Sequence, residues 1–138
     1  MTLLDVVNKI KDSAKTMPNI NTIYEGSVYD LNALPNVRYN AIVITQGHHT
    51  IDENFAYYNF KIFYVDRKLD EDTRLSKQSN AITILHNIVN KTGLDFDDLK
   101  VTTFEHKFKD DCVGAWVDVT FGVNNELGLC NYWYYGKI

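Results

Sequence analysis

The strongest strand signal in this sequence is the stretch Ala56-Tyr57-Tyr58-Asn59-Phe60-Lys61-Ile62-Phe63-Tyr64-Val65-Asp66-Arg67. Its even positions form an unbroken apolar and aromatic row, whereas its odd positions are mixed in character; the row is Tyr58, Phe60, Ile62 and Tyr64. A period of two in residues that suit a pleated surface is typical of a sheet strand with one face in the core. We therefore predict a long strand that ends at the charged pair Asp66-Arg67.

The residues before this strand predict a hairpin partner for it. Tyr39 to Gln46 is apolar on both alternating faces, which indicates a strand deep in the sheet. The polar connection from His48 to Asn54 is short enough for a hairpin loop, so the two strands should pair antiparallel. Further upstream, Ile20 to Tyr29 suggests a strand with a bend at Gly26.

Two helices are predicted. Thr2 and Asp5 form a capping-box pattern, and apolar residues then recur three and four apart, so residues 3 to 15 should be an amphipathic helix. The second helix spans Arg74 to Lys91, after the acidic approach from Asp70 to Thr73, which suits the positive end of a helix. Its predicted core stripe is wide and consists of Leu75, Ser79, Ile82, Leu85 and Val89, flanked by Ala81, Ile84 and Ile88.

The remaining residues predict two or three more strands after a solvated loop at Asp95, Asp97 and Asp98. The strands are Val101 to Phe108, Val113 to Val123 and, as a last strand or an arm, Leu129 to Ile138, with turns at residues 109 to 111 and 124 to 128. The predicted order is α-β-β-β-α-β-β(-β). We expect one α+β domain over residues 1 to 138, with an antiparallel or at most mixed sheet packed by two helices.

Composition limits the classes of function. A chain of 138 residues that is 45% hydrophobic can bury one self-sufficient core. Its formal charge of −4 argues against electrostatic binding to nucleic acid. Charged residues interrupt the apolar positions near the N-terminus, so we expect no signal peptide or membrane span and a soluble intracellular product. Cys112 and Cys130 should then be free thiols.

No group of residues predicts catalysis, a cofactor or a metal. His48 and His49 with Asp52 and Glu53 are ligand types in one loop, but their spacing matches no closed zinc pattern. A second group of reactive side chains lies close together in sequence, where neighbours on a strand point to opposite faces; it comprises Glu105, His106, Asp110, Asp111 and Cys112. The glycines are scattered, and none opens a helix after a strand as a phosphate-binding loop requires.

Aromatic residues are in surplus for a domain of this size. The chain has nine tyrosines, seven phenylalanines and two tryptophans, more than a small core buries easily. Tyr132, Trp133, Tyr134 and Tyr135 are aromatic on both faces of any strand that they form. Such residues are favoured at protein interfaces, where a large apolar body is buried and a polar tip is satisfied. The segment is therefore either an arm that docks on a partner or an internal edge strand.

Several of these features together resemble the small neck and tail-completion proteins of tailed bacteriophages, whose fold is like that of tail terminators. The resemblance rests on the strand end Tyr64-Val65-Asp66-Arg67, the acidic loop into the Ile82/Leu85/Ile88 helix, and Phe104-x-x-x-Phe108-x-Asp110-x-x-Val113-Gly114 leading to Cys130. It covers nearly the whole chain. The aromatic run at residues 132 to 135 has no counterpart in that family.

The resemblance implies a virion structural protein without enzymatic activity or cofactors. Copies would close head-to-tail into a six- or twelve-fold ring at the junction of portal and tail, next to other neck and tail proteins. DNA would pass through the lumen without specific binding, and an acidic chain suits such a lumen. The protein would belong to the virion, with assembly in the host cytoplasm and no membrane contact.

Within that hypothesis the interface residues fall in three segments. The loop contributes His48, His49 and Asp52, the acidic approach contributes Asp70 and Asp72, and the aromatic run contributes Tyr132, Trp133, Tyr134 and Tyr135. The alternative is a small intracellular binding or regulatory domain that uses its aromatic surface for a protein partner. An enzyme that uses His106 or the two cysteines is a third class, and it would need those groups to converge in a cleft.

Overall fold

The computed structural model describes residues 1–33, 37–107 and 111–124, without the side chains of residues 106 and 107. The helices are α1 (Leu3–Lys15) and α2 (Arg74–Lys91), and a 3-10 helix spans Val28–Asn32. The strands are β1 (Thr22–Glu25), β2 (Ala41–Gln46), β3 (Thr50–Ile51), β4 (Phe55–Arg67), β5 (Asp95–Phe96), β6 (Lys100–Lys107) and β7 (Asp111–Asn124). The protein is α+β, as predicted.

All seven strands belong to one mixed sheet in the order β1-β2-β4-β7-β5. The short strand β3 lies beside β4, and β6 lies beside β7. The predicted hairpin is confirmed, since β2 pairs antiparallel with β4. Among the described strands, only β1 runs parallel to its neighbour, β2. The longest pairing joins β4 to β7 antiparallel from Phe55 opposite Asn124 to Arg67 opposite Cys112.

The main core lies between the helices and one face of the sheet. The even positions of β4 are buried on this face as predicted, from Tyr58 to Tyr64. Alternate residues of β7 complete the same surface; they are Val117, Val119, Phe121 and Val123. Burial, with Asp66 nearby, raises the pKa of Tyr64 to about 12, so its phenol stays protonated at neutral pH.

Both helices have the predicted bounds, and one buried hydrogen bond joins them. Helix α1 begins with the predicted capping box, in which Thr2 and Asp5 exchange side-chain and backbone hydrogen bonds. The Ser13 hydroxyl donates to the carbonyl of Ile88, 2.5 Å away in the buried contact between the helices. A polar side chain is tolerated there because its hydrogen bond is satisfied.

The predicted core stripe of α2 was partly wrong. Leu75 is 69% exposed and Ile82 39% exposed, and Ser79 is also exposed. The buried face is turned toward Gln78, Ala81, Ile84, Leu85, Ile88 and Val89. Gln78 explains part of this orientation, since its side-chain amide donates to the carbonyl of Phe104 in β6. The stripe was assigned from spacing within the helix, which does not contain the contact of Gln78 with β6.

The predicted strand from Ile20 to Tyr29 was too long. Only Thr22–Glu25 is a strand, because Gly26 takes a positive φ of 151° and Ser27 then caps the 3-10 helix. Val28 and Leu31 of that helix cover the opposite face of the sheet at one end. They form a second, smaller core with Ala41, Val43, Val65 and Cys112. The end of β4 is therefore buried on both faces, not on one.

Three loop predictions also need correction. The connection from His48 to Asn54 contains β3, and the loop at Asp95 begins with the two-residue strand β5. Asp111 opens β7 instead of lying in a turn. The predicted turn after Asn124 and the last strand or arm, from Leu129 to Ile138, lie outside the described residues.

Two glycines of β7 provide a matched test of the β4–β7 pairing. A Cβ added at Gly114 would lie 1.8 Å from the Tyr64 carbonyl oxygen, whereas at Gly122 its nearest neighbour would be a Tyr57 ring carbon at 3.4 Å. Gly114→Ala should therefore lower the free energy of unfolding by about 1–3 kcal/mol or more, as overpacking does. Gly122→Ala should leave it within about 0.5 kcal/mol. Urea denaturation measures both, and equal midpoints would show that the close approach at Gly114 is absent.

Candidate functional site

The predicted interface residues that the structure describes lie in two separate places. His48, His49 and Asp52 lie in the loop between β2 and β4, while Asp70 and Asp72 lie just beyond the other end of β4. A strand of this length spans roughly 40 Å. The two groups therefore do not form one site within a single chain. The aromatic run Tyr132 to Tyr135 lies outside the described residues.

His49 is held in the hairpin loop by both ring nitrogens. Its Nδ1 accepts from the backbone N–H of Asn59 at 3.1 Å, so the neutral ring carries its proton on Nε2 and donates to Gln46 Oε1, also at 3.1 Å. The ring meets Tyr58 edge-on at a centroid distance of 5.4 Å. Burial, and to a smaller extent His48, lowers the pKa of His49 below its usual 6.5. His49 is thus a structural residue of the loop.

Asn59 connects this loop to β7. Its backbone carbonyl accepts from the Gly47 N–H at 2.8 Å. On the opposite face of the sheet, its side-chain amide donates to Asp118 Oδ1 at 2.8 Å and to Thr120 Oγ1 at 3.0 Å. Gly47 has no room for a side chain, since a Cβ there would lie 1.9 Å from Asn59 Oδ1. Sequence reasoning missed Asn59 because its partners are distant in sequence.

The other predicted interface residues are exposed, and two of them also shape their own turns. His48 and Asp72 are exposed. Asp52 Oδ1 accepts from the backbone N–H groups of Asn54 and Phe55, at 2.8 and 2.7 Å. Asp70 Oδ1 accepts from the Thr73 N–H at 2.9 Å, just before α2. The carboxylates of Asp52 and Asp70 therefore stabilise local turns.

Ion pairs connect the start of α2 to β6. Lys68 pairs with Glu71 and, at 2.8 Å, with Glu105. Arg74 reaches the same two carboxylates at 3.3 and 3.2 Å. Hydrogen bonds to these acids raise the pKa of Lys68, and Lys68 in turn lowers the pKa of Glu71. In the predicted acidic segment, Glu71 therefore forms ion pairs with the basic side chains Lys68 and Arg74. Its carboxylate is engaged by these side chains more than by the N-terminus of α2.

An open cleft of about 670 Å³ lies on the sheet face away from the helices. Asn59, Asp118 and Thr120 line its floor; the wall consists of Phe96, Asp97, Asp98 and Lys100. A smaller cleft continues from it past Tyr57 and Gly122, with Phe96, Asp97 and Thr120 shared between them. We call this combined surface the outer cleft. Its lining includes Tyr57, Asn59, Phe96, Asp97, Asp118, Thr120 and Gly122.

Aromatic side chains continue the outer cleft toward the small core. Trp116 is half-buried, with Lys61 Nζ 5.0 Å from the centroid of its ring. Phe63 contacts Trp116 at a centroid distance of 5.9 Å and Phe104 at 6.3 Å. A polar cleft with an adjacent aromatic row can bind a peptide segment or a protein surface.

Other exposed apolar side chains lie near the two ends of β4. We call Ile51 and Phe55, which are 61% and 44% exposed, the hairpin patch; Ile51 pairs with Ala56 on the helix side of the sheet, whereas Phe55 lies on the other side. The α2 patch consists of Leu69, Leu75 and Ile82. Leu75 and Ile82 of the α2 patch were predicted to lie in the core stripe of α2, and that prediction is wrong for both. One patch is carried by a strand hairpin, and the other by a helix and the loop before it.

Of the reactive side chains at the β6–β7 hairpin, the structure describes those of Glu105, Asp111 and Cys112. The strand register pairs His106 with Cys112. Cys112 is buried in the small core, 1% exposed, which shields it from a substrate. Asp110 and the side chain of His106 lie outside the described residues. Across residues 1–33, 37–107 and 111–124, no three His, Cys, Asp or Glu side chains converge as a metal site would require.

No protein-family model matches the chain, and no curated protein matches its sequence. Neither α1 nor α2, the two α-helices of the described chain, has the length and apolar character needed to cross a membrane.

The lowered pKa of His49 predicts a pH-dependent stability. The unfolded chain binds a proton near pH 6.5, whereas the folded chain binds it only at lower pH, so stability is complete above 6.5 and falls as the pH decreases through the folded pKa. His49→Gln should reduce the dependence of the free energy of unfolding on pH between about pH 6.5 and 5. His48→Gln should retain most of this dependence. Urea midpoints across this range measure the slope; an unchanged slope in His49→Gln would assign it to other groups.

Proposed function

We propose that the chain is a non-enzymatic structural subunit that closes head-to-tail into a ring at the portal-tail junction of a tailed bacteriophage. The family part of this proposal rests on the sequence resemblance. The assembly part is supported by one structural observation, the two unlike apolar patches at opposite ends of β4.

Two unlike patches are compatible with a head-to-tail interface. A two-fold dimer would pair the hairpin patch of each copy with the α2 patch of the other and use all four, whereas a head-to-tail contact leaves one of each free for the next subunit. The hairpin patch and the α2 patch provide such a pair. Repetition of one contact by a fixed rotation then gives a closed ring, for which the proposal specifies six or twelve subunits.

Polar residues lie beside both patches. His48, beside the hairpin patch, and Asp72, before α2, are exposed. In the proposal both lie at the rim of the head-to-tail contact, and the portal and adjacent neck or tail proteins bind surfaces away from it on the two sides of the ring. The net charge of −4 suits a lumen through which DNA slides without specific binding. In this scheme the protein resides in the neck of the virion after assembly in the host cytoplasm.

The outer cleft favours the alternative, a small binding domain with a protein partner. It is a concave surface with aromatic walls and convergent polar groups, which is what a peptide-binding module offers. A module of this kind would act as a monomer or dimer, so the state of assembly separates the two functions.

Charge substitutions in the two patches test the head-to-tail contact. Ile51→Lys and Leu75→Lys should each abolish the ring without lowering the melting temperature, because both side chains are exposed. Mixed together, the two variants should form dimers and no larger species, since one intact copy of each patch is then present. Ser79→Lys, exposed on α2, is the control and should assemble like the parent chain.

Light scattering across a concentration series, with and without purified portal protein, measures these species. A wild-type chain that remains monomeric or dimeric under all these conditions would reject the ring and favour the binding domain. Failure of the mixed variants to form dimers, in a chain that does form rings, would show that other surfaces make the contact.

A further inference from the structure

A side chain completes the hydrogen-bond ladder at one edge of β4. This edge pairs with β2 and then with β3. Between the two pairings, both backbone groups of Asn59 bond to the loop of residues 47–49. The Gly47 N–H donates to the Asn59 carbonyl at 2.8 Å, as a neighbouring strand would. The Asn59 N–H donates to Nδ1 of His49 at 3.1 Å, so the imidazole takes the place of a backbone carbonyl.

This hydrogen bond requires a neutral imidazole. Nδ1 of His49 accepts a hydrogen bond only while the ring proton is on Nε2, from which it is donated to Gln46. Protonation makes both ring nitrogens donors. The half-buried Asn59 N–H would then face a second N–H group and lose its acceptor. The contact is therefore incompatible with a charged ring.

The same ring contacts two aromatic side chains of the main core. Its centroid lies 5.4 Å from that of Tyr58 and 5.8 Å from that of Phe60. Both residues are buried, and Tyr58 is 7% exposed. The side chain of His49 thus attaches its loop to the ladder and to the core at once, and its departure would expose an edge of Tyr58 to water.

The surroundings of the ring favour its neutral form. Burial is the larger cause that lowers the pKa of His49, and His48 in the same loop adds to it. The other titratable group in contact with the ring is the Tyr58 phenol, whereas Gln46 and Phe60 carry no charge. In the described part of the chain, the contacts of the ring include no carboxylate that would retain a proton on it.

Few other contacts hold this part of the loop. Strand β3 consists of Thr50 and Ile51, and both are exposed. It pairs with β4 only at Tyr57 and Ala56. Two residue pairs are too few to be stable alone. The attachment of β3 therefore depends on the neighbouring contacts of His49.

We propose that protonation of His49 releases residues 48–51 from the edge of β4 while β2, β4 and β7 remain paired. This inference concerns one subunit and does not depend on the proposed ring. Ile51, the more exposed residue of the hairpin patch, lies in the released segment. The patch consequently has its described form only in the closed state, so a partner that binds it is bound less tightly at acidic pH.

The direction of the pH dependence follows from proton linkage. In the open state the His49 ring is in water and binds a proton near its ordinary pKa of 6.5. In the closed state it binds a proton only at lower pH. The closed state is therefore fully favoured above pH 6.5, and its advantage decreases as the pH falls through the pKa of the closed state.

Amide hydrogen exchange of the full chain, measured by NMR, tests the release. The protection factor of the Asn59 amide should fall several-fold from about pH 7.5 to about pH 5.5. Because the release is local, this amide should remain far less protected than that of Ile62, which lies between β2 and β7. Low concentrations of urea should leave its exchange unchanged, since local opening exposes little surface.

Two variants assign the effect to one side chain. His49→Asn keeps an acceptor oxygen at the position of Nδ1 that cannot be protonated, so the protection factor of the Asn59 amide should no longer depend on pH. His48→Asn, at the exposed neighbouring position, is the matched control and should retain the loss of protection seen in the parent chain.

The nitrogen chemical shifts of the imidazole provide an independent readout, because they report which ring nitrogen carries the proton. At about pH 7.5 they should place the proton of His49 on Nε2. A proton on Nδ1, or an Asn59 protection factor that stays constant down to about pH 5, would overturn the proposal. An Asn59 amide as well protected as that of Ile62 would also overturn it, as would an undiminished pH dependence in His49→Asn.

Discussion

The antiparallel pairing of β4 with β7 is the contact on which the other parts of this structure depend. It continues over thirteen residue pairs, from Phe55 to Arg67 on one strand. One face of this two-strand ribbon receives both helices and becomes the main core. The other face receives the 3-10 helix at one end and is left as the outer cleft at the other. One face of the β4–β7 pairing is therefore closed by the main core, and part of the other face is open to solvent.

The regular elements were predictable because their signals are local. The period of two in β4 and the capping box of α1 each depend on residues within a few positions of one another, and both are confirmed. The orientation of α2 was not predictable in this way. It depends on the contact of Gln78 with Phe104 in β6, which no periodicity within the helix contains.

In the candidate site, too, local features could be predicted from the sequence and long-range contacts could not. The exposed position of His48 could be expected from a polar loop, but the roles of His49 and Asn59 could not. His49 lies against Tyr58 because the hairpin folds back on β4, and Asn59 reaches Asp118 only because the β4–β7 register sets them side by side. Register between strands far apart in sequence is a property of the whole fold, so single-residue patterns do not reveal it.

The same long-range pairing has a consequence during synthesis of the chain. The β2–β4 hairpin is complete once Arg67 has been made, and it presents a row of large apolar side chains that includes Phe60 and Ile62. The strand that covers one edge of this hairpin is finished only at Asn124. At about 5–20 residues per second, the ribosome needs roughly three to eleven seconds for that interval. Throughout that interval the edge of β4 that later pairs with β7 is open to pairing with another unfinished chain.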